Sequence, residues 1–376
     1  MPSASRYYLF LDGLRAVSIL GVMIAHISNI FQTKRLAGAA YHFLTYLGPY
    51  GHLGVDVFFV ISGFLIIGIL IENFDQPIRI QRFFIRRFFK IIPQYFVMCL
   101  AGILLFFWAL TDPALLKDKV VGHPSEFISN FFFLQGYVGT IFTLSHTWTI
   151  AIEEHFYIVY PFLIQGLFLR IKNPLQRRRW LIFILSSLIL LIITSRHIHY
   201  HDNTFLGVFV LPNVTQTTFY RIDALLFGCI LKLLEPYYLK IKGPARVVLS
   251  YILLALSISI FVYFNFKKGA GDLIICWDKY FLAYISAGCL LVSAQLEGIR
   301  LFSWILNHPF LGWIGKNSYG IYLWHFILII PFLKCIPFLG MHWTIMSYAL
   351  CALGLGALTT STLERYFLNI RQEVSP

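Results

Sequence analysis

Arg15 and His26 lie within the first apolar stretch of the chain, from about Leu9 to Ile30. Eleven residues at about 100° each carry His26 to about 20° beyond three full turns from Arg15. Both side chains then project from one helix face, roughly 16 Å apart along the axis. Hydrocarbon tolerates ionisable groups poorly, so such residues face the protein interior or a wet cavity. An imidazole titrates near neutral pH and can accept a proton from a hydroxyl. The plain alternative is a structural pair tied to neighbouring helices.

Other apolar stretches carry their own polar residues. Asp56 lies in GVDVFFVISGF with Ser62 after it, and Glu153 and Glu154 follow Trp148 in WTIAIEEHFYIVYP with Tyr157 next. Arg221 and Asp223 lie in FYRIDALLFG. If successive spans alternate in direction, these groups and His26 converge at one depth. A carboxylate within reach of the imidazole would fix its tautomer and stabilise its charged form. Arg221 can offset a buried acid or hold an oxyanion. The competing reading is a structural network of salt bridges.

Near the end, IGKNSYGIYLWHF puts Ser318, Tyr322 and His325 on one helix. Ser318 and Tyr322 are four apart and Tyr322 and His325 three apart, so each pair shares a face. Ser318 and His325 stand roughly 10 Å apart along the axis, too far for a nucleophile and its base. These residues read as lining that makes interhelical hydrogen bonds. Asp12 is counted with the lining.

The elements that must position these groups are membrane helices. The chain has 376 residues, 58% hydrophobic and only 12% charged. Soluble domains carry about 25% charged residues. Ten spans are expected, at about 9–30, 52–71, 93–110, 148–170, 180–195, 218–235, 247–266, 279–297, 316–334 and 343–363. Each approaches the length needed to cross a hydrocarbon core. The fold class is all-α: a polytopic membrane helix bundle of about ten transmembrane helices, in one domain spanning 1–376. Segment 126–147 reads as a re-entrant or interfacial piece.

The formal net charge is +13. The basic residues fall between apolar spans and form no patch on a soluble domain, so nucleic acid is not the expected partner. Arg79, Arg82, Arg86, Arg87 and Lys90 mark loop 72–92 as cytoplasmic, as Arg170, Lys172, Arg177, Arg178 and Arg179 mark loop 170–179. Lys240, Lys242 and Arg246 add loop 236–246. The opposite loops carry less: Lys34 and Arg35 in 31–51, and Arg196 alone in 196–217. Lys267, Lys268 and Lys279 run against the rule. Both termini are then cytoplasmic, and the first span reads as a retained helix without a cleavage site.

The run RIQRFFIRRFFKIIP, residues 79–93, interleaves bases with aromatics before Pro93, which opens a helix. It reads either as ordinary positive-inside charge or as an anion site for a phosphate-rich cofactor. His197, His199 and His201 in RHIHYHD would approach zinc-ligand spacing only in an extended loop, and solvated histidines are the stronger reading. No metal site is expected. Six cysteines show no C-x-x-C spacing. Cys276 and Cys335 are compatible with one disulfide near the outer face. Asn213 and Thr215 match a glycosylation sequon beside Pro212.

In order, LDGLRAVSILGVMIAH, GVDVFFVISGFLI, IRRFFKIIP, WTIAIEEHFYIVYP, RIDALLFG and SYGIYLWH resemble the acyltransferase 3 family of integral membrane acyltransferases. The resemblance covers nearly the whole chain. It implies a catalytic His26 paired with Arg15, and a cytoplasmic acyl-CoA donor, often acetyl-CoA. Glu153 or a neighbouring acid is expected to aid His26, and the donor's phosphates are expected near Arg86, Arg87 and Lys90. No permanently bound cofactor is implied. The acceptor it implies is a hydroxyl of a cell-envelope glycan or glycolipid such as lipopolysaccharide O-antigen, and the location is the bacterial inner membrane. Relatives usually carry Arg where Lys90 stands, and Lys offers a point charge where Arg offers a fork. His155 replaces a frequent Gln. Some relatives add an SGNH hydrolase-like domain, which is not expected here. The rival readings are a transporter or flippase of a lipid-linked glycan, and a non-catalytic scaffold for polysaccharide assembly.

Overall fold

The computed structural model describes residues 8–30, 42, 44, 46–71, 80–111, 123–202, 216–266 and 275–374. Arg6, Lys34, Arg35, Arg79, Asn213, Thr215, Lys267 and Lys268 lie outside them, as do the side chains of His199, His201 and Cys276. Among the described residues the regular elements are all helices. In chain order these are α1 (Leu9–Ile30), α2 (Leu53–Ile71), α3 (Ile80–Leu110), α4 (Ile128–Phe131), α5 (Gln135–Val138), α6 (Trp148–Arg170), α7 (Pro174–Asp202) and α8 (Thr218–Arg221). There follow α9 (Asp223–Tyr238), α10 (Gly243–Phe266), α11 (Ile275–Leu296), α12 (Arg300–Leu306), α13 (Pro309–Lys316), α14 (Ser318–Thr359) and α15 (Arg365–Val374).

Seven helices among the described residues are long and apolar enough to cross a membrane. They include α1, α2, α3 and much of α7, α10 and α11, with α14 continuing into α15 as the seventh. The α14 segment breaks at Gly340, whose φ of 74° and ψ of 164° suit only glycine. The expected spans 316–334 and 343–363 are its two arms. Helix α6 falls outside the apolar set; it carries Glu153, Glu154 and His155 within one turn. Helix α9 is only 16 residues long. The protein is a multi-pass membrane protein.

Three boundaries differ from the sequence expectation. The run after residue 79 is not loop: α3 begins at Ile80, so Arg82, Arg86, Arg87 and Lys90 ride on its first three turns. No Gly or Pro interrupts residues 80–92, and Arg and Lys are good helix formers. Pro93 does not open that helix but sits inside it. Second, α7 begins at Pro174, inside the expected 170–179 loop. The Asn173 side chain accepts from the Leu175 and Gln176 amides at 2.9 and 3.2 Å, a helix cap followed by Pro at the first turn. Third, α7 continues to Asp202, so RHIHYHD is helical, not an extended loop.

The chain divides into two compact units. The first comprises Met1–Ser18, Leu53–Ile78 and Ile152–Gly312. Its centre is α2 against α9, brought close by glycine. A Cβ on Gly63 would strike the Leu225 carbonyl, and one on Gly228 the Val60 carbonyl. The Cys229 thiol donates to the Gly63 carbonyl at 3.2 Å. Small residues allow this approach where lipid supplies no hydrophobic drive. Helices α10 and α11 meet through Ser257 and Ser286, whose hydroxyl oxygens lie 2.8 Å apart, and Ser293 donates to the Ser250 carbonyl at 2.9 Å.

The second unit comprises Ile19–His52, Arg79–Ala151 and Trp313–Pro376. Here Gln94 on α3 donates to the Thr359 hydroxyl at 2.9 Å, and the Tyr319 hydroxyl donates to the Ile91 carbonyl at 2.9 Å. The two arms of α14 close on each other where a Cβ on Gly320 would strike the Gly356 carbonyl. The stretch 126–147, expected as re-entrant or interfacial, consists of short helical turns. Its polar groups bond among themselves: Asn130 donates to the Thr147 hydroxyl at 2.8 Å, and Gln135 to the Thr147 carbonyl at 2.9 Å.

Gly228→Val is expected to force α2 and α9 apart at a cost of about 1–3 kcal/mol, the usual range for overpacking. A lower melting midpoint in detergent checks this; an unchanged midpoint would refute so tight a contact.

Candidate active site

His26 lies near the C-terminal end of α1 and is half-buried, so it keeps accessible surface. Its Nδ1 lies 3.0 Å from Nε2 of His325 on α14, with the rings stacked at 5.1 Å between centroids. Phe326 meets His26 edge-on at 4.9 Å, and His52 does so at 6.0 Å. His325 is fully buried. Its Nδ1 donates to the Tyr322 carbonyl at 2.6 Å, a partner three residues back on the same helix.

A third imidazole packs against this pair. His146 is buried, 5.5 Å from His325 between ring centroids and stacked on Phe326 at 5.0 Å. Its Nε2 donates to the Leu323 carbonyl at 3.2 Å, while its Nδ1 has no hydrogen-bond partner among the described residues. The Tyr322 hydroxyl donates to the His146 carbonyl at 2.6 Å. Its proton being committed there, the Thr149 hydroxyl donates to Tyr322 across 2.7 Å. These contacts seat the 142–147 turn on α14. Trp148 is half-buried at the start of α6, and Ser318 is buried at the start of α14.

In the same unit, the N-terminal turns of α3 present bases to solvent. Arg82, Arg86 and Lys90 are exposed and four residues apart, so they share one helix face. The Arg87 guanidinium lies over the Phe83 ring, 5.8 Å from its centroid.

The remaining candidates belong to the other unit. Asp12 is buried and lies 3.7 Å from Arg15 across one turn of α1. Helix α1 is unbroken, so the spacing from Arg15 to His26 is helical, as expected. Glu153 accepts from Ser62 at 2.7 Å through Oε1 and from Tyr157 at 2.9 Å through Oε2. Glu154 is buried beside it. His155 Nδ1 lies 2.6 Å from the Thr218 hydroxyl oxygen.

The same unit holds two buried ion pairs. Arg221 donates to Asp56 at 2.8 Å, and Arg196 donates to Asp223 at 2.6 Å. Arg196 also donates to the Tyr220 carbonyl. Both guanidiniums lie over the Tyr280 ring, at 4.2 Å for Arg221 and 5.3 Å for Arg196. This corrects the reading of Arg196 as a loop cation. Its helix extends past it, and Asp223 accounts for its charge.

The family's acyltransferase domain matches residues 8–363. The chain belongs to the acyltransferase 3 family. Two relatives named O-acetyltransferase OatA, from Staphylococcus aureus strains NCTC 8325 / PS 47 and COL, are each 31% identical over 340 residues. Those alignments cover 86% of this chain and 51% of each relative. The chain spans about half the length of the curated relatives it matches. No solved structure matches the chain significantly.

Within this acyltransferase 3 chain, His26, Tyr322 and His325 come together as one cluster. Arg15 with Asp12, Glu153 with Ser62 and Tyr157, and Arg221 with Asp56 form separate pairings in the other unit. Sequence reasoning missed His146, His52, Thr149 and Arg196. His146 had a signal in its place two residues before Trp148, within TLSHTWTIAIEEHF. That stretch lacks helical periodicity, so no facing partner was deducible.

Breaking a buried ion pair leaves one charge uncompensated, at a cost of about 3–5 kcal/mol. Arg221→Met alone is expected to be strongly destabilising, and Arg221→Met with Asp56→Leu markedly less so. Thermal melts of purified variants in detergent give the comparison. A double-variant loss equal to the sum of the losses for Arg221→Met and Asp56→Leu alone would show that the two charges are not coupled.

Proposed function

We propose that this protein is an O-acyltransferase that moves an acyl group, acetyl in the simplest case, from acyl-CoA to a hydroxyl of a cell-envelope glycan, with His26 as general base. One observation carries the reading: in a chain of the acyltransferase 3 family, a half-buried imidazole on α1 has one ring nitrogen held by His325 and retains accessible surface. The names of the OatA relatives support the O-acetyl chemistry. Lipopolysaccharide O-antigen is the proposed acceptor, and the bacterial inner membrane the proposed location, with both termini cytoplasmic.

In this scheme His26 takes the hydroxyl proton as the acceptor oxygen attacks the thioester carbonyl. The new C–O bond forms, the C–S bond breaks, and the imidazolium returns its proton to the departing thiolate. An acyl-histidine relay is the variant mechanism. The phosphates of acyl-CoA are proposed to lie on the basic face of α3, with Arg86, Arg87 and Lys90 as their partners. Interleaved aromatics suit that face to the water–lipid boundary, where a soluble donor would arrive. In the other unit, Arg15 remains a catalytic candidate on family resemblance, and Glu153 as the acid proposed to aid the base. Asp12, Asp56, Ser62, Glu154, Tyr157, Arg221 and Asp223 are proposed to support the polar interior around them.

The test is transfer by purified protein in liposomes, supplied with radiolabelled acetyl-CoA and envelope glycan. His26→Ala is expected to lower kcat by about 10²–10⁴, the usual contribution of a positioned base. Undiminished transfer by that variant would sink the mechanism. Glycan translocation without any acetyl-CoA-dependent product would point to a transporter. A second measurement addresses the donor. Arg86→Ala with Lys90→Ala is expected to raise the KM for acetyl-CoA severalfold while kcat holds; an unchanged KM would remove the phosphates from α3.

A further inference from the structure

We propose that His325 is a positioning residue that fixes His26 in the tautomer protonated at Nδ1, which leaves Nε2 of His26 as the basic nitrogen. This rests on the acyl-transfer reading above and assigns its proton to one atom.

The direction of the hydrogen-bond chain is set at one end by chemistry. A backbone carbonyl only accepts. The Tyr322 carbonyl, 2.6 Å from His325 Nδ1, therefore requires a proton on that nitrogen. A neutral imidazole carries a single N–H, so His325 Nε2 is bare and must accept. Its partner at 3.0 Å is His26 Nδ1, which must then donate. The proton of neutral His26 is thereby committed to Nδ1, and the lone pair lies on Nε2. Because His325 is fully buried, a second proton on its ring would be a desolvated charge.

The anchor of this chain is itself held. The Tyr348 hydroxyl, on the returning arm of α14, donates to the His325 carbonyl at 2.9 Å. The Tyr322 hydroxyl is tied to the His146 carbonyl. Phe326 and His52 meet the His26 ring edge-on and limit its rotation. His146 cannot replace His325 as acceptor through its Nε2, because that nitrogen donates to the Leu323 carbonyl. His325 thus does for His26 what a carboxylate does in a hydrolytic triad: it holds the ring and its tautomer. It differs in being uncharged. When Nε2 takes the acceptor proton, the His26 Nδ1–H still points at the lone pair of His325 Nε2, and no proton need pass between the rings.

The decisive experiment is nitrogen-15 magnetic resonance of histidine-labelled full-length protein in bilayers. The His26 signals are assigned by their loss in His26→Asn. The expected spectrum shows a protonated Nδ1 and a bare Nε2 for His26 in the wild-type chain. A wild-type His26 protonated at Nε2 would overturn the proposal whatever the variants do. Two variants then separate positioning from packing. His325→Gln keeps an acceptor oxygen for His26 Nδ1, and His325→Leu does not. His325→Leu is expected to lower kcat by about 10²-fold, with KM for acetyl-CoA unchanged, and His325→Gln to recover at least about tenfold of that loss. A kcat for His325→Leu equal to wild type would also overturn it. If His26→Ala retained full transfer while the wild-type spectrum matched expectation, the acyl-transfer reading would fall and the tautomer assignment would stand. If His26→Ala lost transfer and the spectrum were reversed, the assignment would fall and the reading would stand.

Discussion

Polar groups buried among apolar helices must satisfy one another, because hydrocarbon offers neither hydrogen bonds nor charge screening. The interior of each unit is organised by that demand. Arg221 and Arg196 each meet an aspartate and share one tyrosine ring. Serine and threonine hydroxyls repeatedly take backbone carbonyls as acceptors: Ser18 bonds to Leu14, Thr143 to Gly102 and Ser293 to Ser250. Close backbone approach at Gly63 and Gly228 then becomes the means of packing. The drive that packs a soluble core is weak between helices already surrounded by lipid.

The same demand gives the imidazole cluster its character. Three rings on α1, α14 and the 142–147 turn lie against one another. Two of them donate to backbone carbonyls of α14, which fixes their protons without a charged partner. A base built this way sits at the end of a neutral chain. The hydrogen bonds described within the cluster involve only imidazoles and backbone carbonyls, with no anion among them.

Much of the architecture was readable before any coordinates. Apolar run lengths located the helices, since each needs a minimum length to cross hydrocarbon. The eleven-residue spacing of Arg15 and His26 was correctly read as helical. The ends of helices were less readable. Arg and Lys mark the edge of a membrane span but do not stop a helix, so α3 and α7 begin earlier than charge alone suggests. Pro93 was misread because proline is tolerated both at a first turn and, at a cost, in an interior. The partners of single side chains were the hardest. Tyr322 and His325 were recognised as lining, yet nothing in periodicity says that His325 meets His26, nearly three hundred residues earlier. His146 lay hidden because a run of short turns has no repeat to extrapolate.

Gly340 has a consequence for how the gene can change. The outgoing arm of α14 carries His325, and the returning arm carries Tyr348, whose hydroxyl holds the carbonyl of His325. The bend between them behaves as a spacer. Side chains there, such as the almost fully exposed Phe338, can be exchanged for others that lipid or water accepts equally well. The number of residues has no such freedom. One added or lost would turn the returning arm by about 100° and carry the tyrosine off its mark. Point substitutions at this tip should accumulate readily, while insertions and deletions should be purged.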